Sequence, residues 1–282
     1  MRRLPGLWAQ GVAMQKIVVQ TDLTAARLPQ LHEPRNAGIA LDLDWVGRVQ
    51  ANTSAIERRA ATLPGRRSVK KDWQAAWLCR AIAVMDLTTL SGDDTAGRVQ
   101  RLCAKARQPV APWMLERLGM TGLTVGAVCV YHDMVAPAVA ALAGSGIPVA
   151  AVSTGFPAGL SPLPLRLAEI GASVAAGADF IKTSTGKEAV NATLPVTLTM
   201  IRAIRDYHDA TGFRVGYKPA GGIAKAKDAL VYLALIKDEL GTRWLQPDLL
   251  RFGASSLLGD IERQLEHHLT GAYSAGYRHA MA

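Results

Sequence analysis

The stretch Phe180-Ile181-Lys182-Thr183-Ser184-Thr185-Gly186-Lys187 is the most informative feature of the chain, because it places a lysine inside a short β-type run. Side chains alternate between the faces of a strand, so Lys182 shares a side with Phe180. A lysine among apolar neighbours loses hydration, which disfavours its charged form and lowers its pKa. A neutral amine can attack a carbonyl and form an imine, whereas an ammonium cannot. The sequence therefore predicts a nucleophile at Lys182, with Gly186 and Lys187 holding a phosphate beside it.

Two further strand-like runs end in a similar way. Val215–Lys218 ends at a lysine, and Pro219 then stops the strand because it cannot donate a ladder hydrogen bond. The pair Gly221-Gly222 follows as a turn. The run Leu250–Gly253 leads into small residues, Ala254-Ser255-Ser256. Three strand ends thus carry the residue types that suit an anion and a nucleophile.

The segments between these strands predict the sheet. Asn191–Thr211 and Ala224–Gly241 have apolar residues at helical spacing. Repeated strand–helix units of this size predict a parallel sheet. In a (β/α) barrel all strands end on one face, which carries the active site, and the loops after the last two strands commonly bind phosphate.

Five motifs, in the same order, resemble deoxyribose-phosphate aldolase. They lie between Trp77 and Leu258, at Asp86–Leu90, Val128–Tyr131, Phe180–Lys187, Lys218–Gly222 and Arg251–Leu258. The resemblance implies a TIM barrel that cleaves 2-deoxy-D-ribose 5-phosphate to D-glyceraldehyde 3-phosphate and acetaldehyde, in deoxyribonucleotide catabolism. The reaction would pass through a lysine imine and need no metal or other cofactor.

The resemblance also assigns roles to single residues. Lys182 matches the imine-forming lysine, and Lys218 matches a second lysine that depresses the pKa of the first and assists proton transfer. Asp86 matches a polar position on the first strand, close to the sugar hydroxyl. The positions matching the substrate and phosphate site are Thr88, Cys129, Thr185, Gly186, Lys187, Gly221, Gly222, Gly253, Ser255 and Ser256. Backbone N–H groups at glycine turns and helix N-termini bind anions without large side chains.

Each candidate also has a simpler structural interpretation. Lys182 could be a strand-end lysine that reaches solvent with its amine. Lys187 could be a surface lysine at a helix start, and Asp86 could cap the turn at Thr88. Cys129 could be a small buried apolar residue. The ordered set of motifs favours the catalytic interpretation of the two lysines.

One part of the family pattern is missing. Members carry a further βαβα stretch before the imine lysine, including a strand whose last aspartate works in proton transfer. Here Val149–Phe156 continues through a helix-like segment, Leu163–Gly177, directly to the lysine strand. Because Ala176–Asp179 resembles a tetrapeptide that precedes both strands in the family, we infer an in-frame deletion between two copies. A βαβ unit takes about 30 residues, so about 60 residues would be missing.

The deletion predicts a TIM barrel truncated to about six strands instead of eight. A barrel closes only when strand number, tilt and shear agree, and unpaired strand edges promote aggregation. The chain could close a smaller ring, pair with a second copy or fold poorly. Two functions stay open: an active aldolase, in which water or Asp86 moves the proton, and a catalytically impaired variant that only binds a sugar phosphate or is inactive.

Composition fits a cytoplasmic enzyme. The 282 residues include three cysteines, Cys79, Cys103 and Cys129, which lack Cys-x-x-Cys spacing and are expected to be reduced thiols. No run reaches the 18 apolar residues of a membrane span, and Leu4–Met14 is too short and broken for a signal core. The net charge of +9 is explained by phosphorylated substrates. Apart from Arg58–Lys71 the basic residues are scattered, so we expect no nucleic-acid partner.

The domain prediction has three parts. Residues 1–76 form a helical extension, residues 77–260 the truncated barrel, and residues 261–282 a tail. Leu41–Ala61 is expected to form one amphipathic helix on the outside of the barrel. The tail is expected to be a helix end and a loose terminus. No histidine has a convincing acid–base or metal-ligand partner in the sequence.

Overall fold

The computed structural model describes residues 36–279 except for 37, 41, 67, 153–154, 167, 170–178 and 187–188. These described residues belong to one compact unit. The unit is an α/β structure in which strands lie inside and helices outside.

Among the described residues, six short parallel strands form the inner layer. They are β1 (Met85–Thr88), β2 (Ala127–Val130), β3 (Val149–Ala151), β4 (Phe180–Lys182), β5 (Gly216–Lys218) and β6 (Phe252–Gly253). One sheet has the order β3-β2-β1-β6, and a second pairs β4 with β5. Parallel bridges Tyr217–Leu250 and Ala220–Gly253 join the second sheet to the β6 run. The strands therefore follow one another as β3, β2, β1, β6, β5 and β4.

The ring of strands is open between β3 and β4. Within the described residues β3 pairs only with β2, and β4 pairs only with β5. We call this place the β3–β4 opening. It lies where the sequence predicts the missing strand–helix units, so the prediction of six strands is confirmed.

Nine α-helices are described outside the ring. They are α1 (Leu43–Arg48), α2 (Thr53–Arg66), α3 (Lys71–Ala83), α4 (Ala96–Arg107), α5 (Pro112–Leu118), α6 (Val135–Leu142), α7 (Leu194–Thr211), α8 (Ala226–Leu240) and α9 (Ser256–Thr270). Residues 163–166 are also helical. Helix α8 packs against both α7 and α3, and α3 packs against α9. The predicted helical spacers Asn191–Thr211 and Ala224–Gly241 are thus confirmed as α7 and α8.

Side chains along each strand alternate between an inner, polar face and an outer, apolar face. Asp86 and Lys218 point inward and contact each other. Leu87 lies on the outer face of β1 and is fully buried under the helices. Ile181, the matching outer residue of β4, is 38% exposed. Burial of the outer face is therefore complete at β1 and partial at the β3–β4 opening.

The prediction of a single helix over Leu41–Ala61 is wrong. Helix α1 ends at Arg48 and α2 begins at Thr53. The Asn52 side chain between them accepts a hydrogen bond from the backbone N–H of Ala55 at 2.9 Å. Asparagine is a good N-cap because its side chain satisfies an otherwise unpaired donor, so a new helix starts there. Helix α2 packs on α7, which confirms the outside position.

The prediction of a loose C-terminal tail is wrong for its described part. His279 is buried, and its Nε2 lies 2.8 Å from Oε2 of Glu266 on α9. The same ring nitrogen lies 2.7 Å from the hydroxyl of Ser274. These partners hold His279 against helix α9. The sequence could not show the contact, because His279 and Glu266 meet only after the tail turns back.

The predicted domain boundaries, after residues 76 and 260, lie inside helices α3 and α9. The division into extension, barrel and tail stays a prediction. None of the helices in the described ranges is both long and apolar enough to cross a membrane.

Candidate active site

The two predicted lysines lie side by side on neighbouring strands. Strands β4 and β5 pair in parallel, and Lys182 is in direct register with Lys218. Both residues end their strands, so both amines belong to the face where the strands end. The structure thus brings together two residues that are 36 positions apart in the chain.

Asp86 joins Lys218 in a buried ion pair. Oδ2 of Asp86 lies 2.5 Å from Nζ of Lys218, and Oδ1 lies 2.9 Å from Nη1 of Arg251. The side chains of the three residues are 2%, 10% and 12% exposed, in that order. We call Asp86, Lys218 and Arg251 the charged cluster. It holds one carboxylate between two cations and carries one net positive charge.

The charged cluster separates the ionisation of the two lysines. Burial lowers the pKa of Lys182 to about 8, and repulsion from Lys218 contributes. Burial would also lower the pKa of Lys218, but attraction and a hydrogen bond from Asp86 outweigh it and raise that pKa. The pKa of the Asp86 carboxyl is lowered, because Lys218 and Arg251 outweigh its burial. Lys182 is therefore the lysine that can become a neutral nucleophile near neutral pH.

The Lys182 amine has two close neighbours. Nζ donates a hydrogen bond to the carbonyl of Ser184 at 2.5 Å, and it lies 4.7 Å from the centre of the Phe156 ring. Phe156 follows β3, so this contact reaches from the chain beyond β3 to β4. The amine is half-buried, so a small substrate can still reach it.

The loops after β4 and β5 are bonded to each other at this face. The Ser184 hydroxyl donates to the Ala220 carbonyl at 2.6 Å, and the Ala220 N–H donates to the Thr183 hydroxyl at 3.0 Å. Gly186 and Gly221 both have left-handed backbone, with φ of +82° and +78°. A Cβ on Gly186 would lie 3.8 Å from Cα of Gly221. The two predicted glycine turns therefore lie against each other.

The remaining predicted positions are placed as follows. Gly222 continues the second glycine turn, with φ of +81°, and Thr185 stands between Ser184 and Gly186. Gly253 approaches β5 closely, since a Cβ there would lie 2.8 Å from Cβ of Ala220. Ser256 is the first residue of α9, whose N-terminus faces the same side. Lys187 lies outside the described residues.

Ser255 and Thr88 are bonded to each other. The Ser255 hydroxyl donates to the carbonyl of Thr88 at 3.0 Å and accepts from its N–H at 2.8 Å. This ties the start of α9 to the end of β1. Cys129, on β2, is buried, and burial raises the pKa of its thiol. It therefore lies in the structure as a small buried residue near the lysines, as the simpler interpretation predicts.

The chain is similar to aldolases of known name. Deoxyribose-phosphate aldolase from Mus musculus is 47% identical over 305 aligned positions, which cover 84% of this chain and 96% of the relative. The Homo sapiens protein of the same name is 45% identical over 307 positions, covering 85% and 96%. The chain belongs to the deoxyribose-phosphate aldolase family. This confirms the family resemblance and the fold class, a TIM-barrel aldolase shortened to six strands.

The alignment also confirms the size of the deletion. It runs over 305 positions, but 84% of the 282 residues is about 237 residues. About 68 positions of the mouse aldolase, which is 305 minus 237, therefore have no counterpart in this chain. The prediction from the motifs is about 60 residues, which is two strand–helix units.

Family models and solved structures were the other two comparisons. No family model matches the chain. The tetrameric deoxyribose phosphate aldolase from Aeropyrum pernix aligns in space with a TM-score of 0.42 and 16% identity, covering 76% of this chain and 99% of that one.

Sequence reasoning overlooked two residues of this aldolase-family site. Arg251 begins the motif Arg251–Leu258, but the family resemblance assigns it no catalytic or binding role. An arginine inside an apolar strand is as unusual as Lys182, so it is a signal that the sequence contains. Phe156 gave no signal, because an aromatic residue after a strand is ordinary. Its contact with Lys182 exists only because β3 and β4 face each other across the opening.

Proposed function

We propose that the chain is a class I aldolase that cleaves 2-deoxy-D-ribose 5-phosphate to D-glyceraldehyde 3-phosphate and acetaldehyde. The observation that carries the proposal is the register of Lys182 with Lys218 on paired strands, where Lys218 is bonded to Asp86. In this setting the pKa of Lys182 is lowered to about 8, while that of Lys218 is raised. A neutral lysine amine can form an imine with the aldehyde of the open-chain sugar. The names of the mouse and human relatives support the same reaction.

The reaction follows from the chemistry of the imine. The Lys182 amine attacks the aldehyde carbon and water is lost, which leaves a protonated imine. With the imine carbon counted as the first, the cation accepts the electron pair released when the bond between the second and third carbons breaks, which leaves an enamine on Lys182. The hydroxyl on the third carbon loses its proton, and its oxygen becomes the carbonyl of the new aldehyde. The second carbon of the enamine then takes up a proton, and hydrolysis of the resulting imine frees acetaldehyde and Lys182. Lys218, charged and adjacent, favours the neutral form of Lys182 and can donate a proton to the hydroxyl that leaves as water when the imine forms.

The proton acceptor differs from that of a complete family member. Asp86 contacts Lys218, but both of its oxygens already accept hydrogen bonds from Lys218 and Arg251. We therefore assign the removal of the sugar hydroxyl proton to water beside the charged cluster. A missing general base slows a proton-transfer step by about 10²–10⁴-fold, so we expect a slow enzyme.

The glycine turns are the proposed phosphate site. Gly186, Gly221 and Gly222 have left-handed backbone, and α9 begins at Ser256 on the same side of the ring. Backbone N–H groups in such turns, together with a helix N-terminus, favour an anion. Thr88, Cys129, Thr185, Lys187, Gly253 and Ser255 are the other positions assigned to the substrate by family resemblance.

Borohydride trapping with 2-deoxy-D-ribose 5-phosphate tests the proposal. The expected result is a reduced adduct on Lys182, found by intact mass and peptide mapping. The variant Lys182→Arg should lose the adduct and on the order of 10⁴-fold of any aldolase rate. Lys227→Arg, on the exposed side of α8, is the matched control and should keep both. Folded protein without an adduct, or an adduct that survives Lys182→Arg, would refute the proposal.

The alternative function is a catalytically impaired variant that only binds a sugar phosphate or is inactive. The comparisons do not favour it, since about 46% identity extends over most of the chain. The same experiment separates the two, because binding without an adduct would identify the impaired variant.

We also propose self-association and a cytoplasmic location. Large apolar side chains are exposed in the segments around β3 and β4, namely Leu160, Leu163, Leu165, Ile181 and Val190. A second copy could cover these residues and the unpaired strand edges. The described cysteines are buried and free, as expected for a reducing compartment. Sizing chromatography and cell fractionation test these two points.

A further inference from the structure

Arg251 has a set of contacts that the reaction described above does not use. Its Nη1 donates to Oδ1 of Asp86 at 2.9 Å, and its Nε donates to the carbonyl of Pro247. The guanidinium carbon lies 5.5 Å from the centre of the Phe180 ring. A Cβ on Gly126 would lie 3.3 Å from Cδ of Arg251. One buried side chain thus contacts the entry of β2, the carboxylate of β1 and the first residue of β4.

The position of Phe180 makes these contacts relevant to the nucleophile. Phe180 and Lys182 lie on the same face of β4, two residues apart. The Phe180 ring also lies against β5, where a Cβ on Gly216 would be 2.5 Å from Cδ1 of the ring. Since β4 pairs only with β5 among the described strands, the Arg251–Phe180 contact is a second link that holds the strand of Lys182 in place.

The contact with Asp86 has an electrostatic consequence. With Oδ2 on Lys218 and Oδ1 on Arg251, both carboxylate oxygens already have a cationic partner. The Lys182 amine instead donates to a neutral carbonyl, that of Ser184. If Oδ1 were free, the carboxylate would be a stronger attraction for a charged Lys182, because a nearby opposite charge favours the charged form.

We propose that Arg251 is a positioning residue for the aldolase reaction: it keeps the Asp86 carboxylate on Lys218 and away from Lys182, and it braces β4 through Phe180. The inference rests on the proposed function, in which Lys182 is the nucleophile. Arg251 acts through Asp86, and its hydrogen bonds within the described residues go to Asp86 and Pro247.

The test measures the ionisation of the Lys182 amine and not turnover. The amine reagent trinitrobenzenesulfonate is applied over a pH series, and labelling of Lys182 is quantified by peptide mapping. The groups that influence Lys182 are Lys218, Cys129 and Asp86. For the natural chain we expect half-maximal labelling at about pH 8. Failure of the proposed aldolase activity would appear in borohydride trapping and would leave this labelling curve intact.

Arg251→Gln should move the midpoint of the labelling curve up by about one pH unit or more, since a carboxylate is released near the amine. Arg251→Lys keeps a cation on Asp86, so its labelling midpoint should lie close to that of the natural chain. Folded Arg251→Gln protein with an unchanged midpoint would overturn the proposal.

A second pair of variants tests whether Arg251 acts on Lys182 through Asp86. Asp86→Asn and Asp86→Asn/Arg251→Gln have no carboxylate for Arg251 to hold. If Arg251 acts through Asp86, these two proteins should have the same labelling midpoint. An upward shift of a full unit in the double variant would mean that Arg251 acts on Lys182 directly, and would overturn the proposed route.

Discussion

The two sides of the strand ring differ in how firmly they hold their residues. On one side, β1, β5 and β6 surround the charged cluster, and Tyr217 and Phe252 are fully buried there. On the other, β3 and β4 border the β3–β4 opening, where Ile181 is 38% exposed. Lys182, the proposed nucleophile, stands on the open side, whereas Lys218 stands on the closed side. The closed side therefore sets the electrostatics around the amine, and the open side carries the lysine to which we assign the reaction.

This difference shows what an internal deletion leaves intact. Asp86, Lys218 and Arg251 come from strands on the far side of the deletion, so their mutual contacts survive. Lys182 keeps its pairing with β5 and the loop contacts of Ser184, but its strand has no partner on the other side among the described strands. Substitutions on the two sides of the ring should therefore differ in their effects.

Asp86→Asn should have the largest effect on stability. It leaves Lys218 and Arg251 as buried cations without a carboxylate, and breaking such a group costs about 3–5 kcal/mol. Asp238→Asn, which weakens an ion pair with Arg59 at the protein surface, is the control and should cost about 1 kcal/mol or less. Urea unfolding measures both.

The cost of Asp86→Asn should also depend on pH. The pKa of Asp86 is lower in the folded chain, so its contribution is present above the unfolded pKa of about 4. It is lost as the pH falls through the lower folded pKa. The stability difference between the natural chain and Asp86→Asn should therefore shrink in acid. A difference that stays constant down to pH 2 would contradict the buried ion pair.

Leu87→Ala and Ile181→Ala compare matched outer positions of β1 and β4. Leu87 is fully buried, so its truncation should cost about 2–5 kcal/mol. Ile181 is 38% exposed, and its truncation should cost about 1 kcal/mol. Unfolding free energies from urea titration provide the measurement. Equal costs at the two sites would mean that the opening is covered in solution.

The rate of imine formation should rise with pH at Lys182, on the open side, and not at Lys218, on the closed side. With a pKa of about 8, the neutral fraction of Lys182 increases about tenfold from pH 7 to pH 9. Lys218, whose pKa is raised by Asp86, should stay unlabelled by an amine reagent over the same range. Borohydride trapping and peptide mapping follow the two lysines. Labelling of Lys218 at the same pH as Lys182 would refute the assigned roles.

Ile181→Lys should have the smallest effect on folding, within about 0.5 kcal/mol, because the side chain is partly exposed. A charge on an edge strand discourages pairing with another chain, so any self-association through the opening should decrease. Sizing chromatography of the natural chain and the variant measures the size of any complex that each forms. A complex of unchanged size would place the contact elsewhere on the surface.

The family and the parallel α/β class could be predicted from the sequence alone, and so could the juxtaposition of the two lysines and the two glycine turns. Lysines at Lys182 and Lys218, glycine turns after both strands and the order of five motifs were all local features, since strand ends and turns have recognisable residue types. The length between β3 and β4 also predicted the deletion. The lysines, the glycine turns, the motif order and the segment length are all defined by residues that are close together along the chain, so the sequence shows them directly.

Only the tertiary structure decided which charges meet. Asp86 and Arg251 are 165 residues apart, and their contact depends on β1 and β6 becoming neighbours in the ring. The Phe156–Lys182 contact needs β3 and β4 to face each other across the opening, and the burial of His279 needs the tail to fold back on α9. Electrostatic energies depend on distance and burial in space, and neither follows from spacing along the chain.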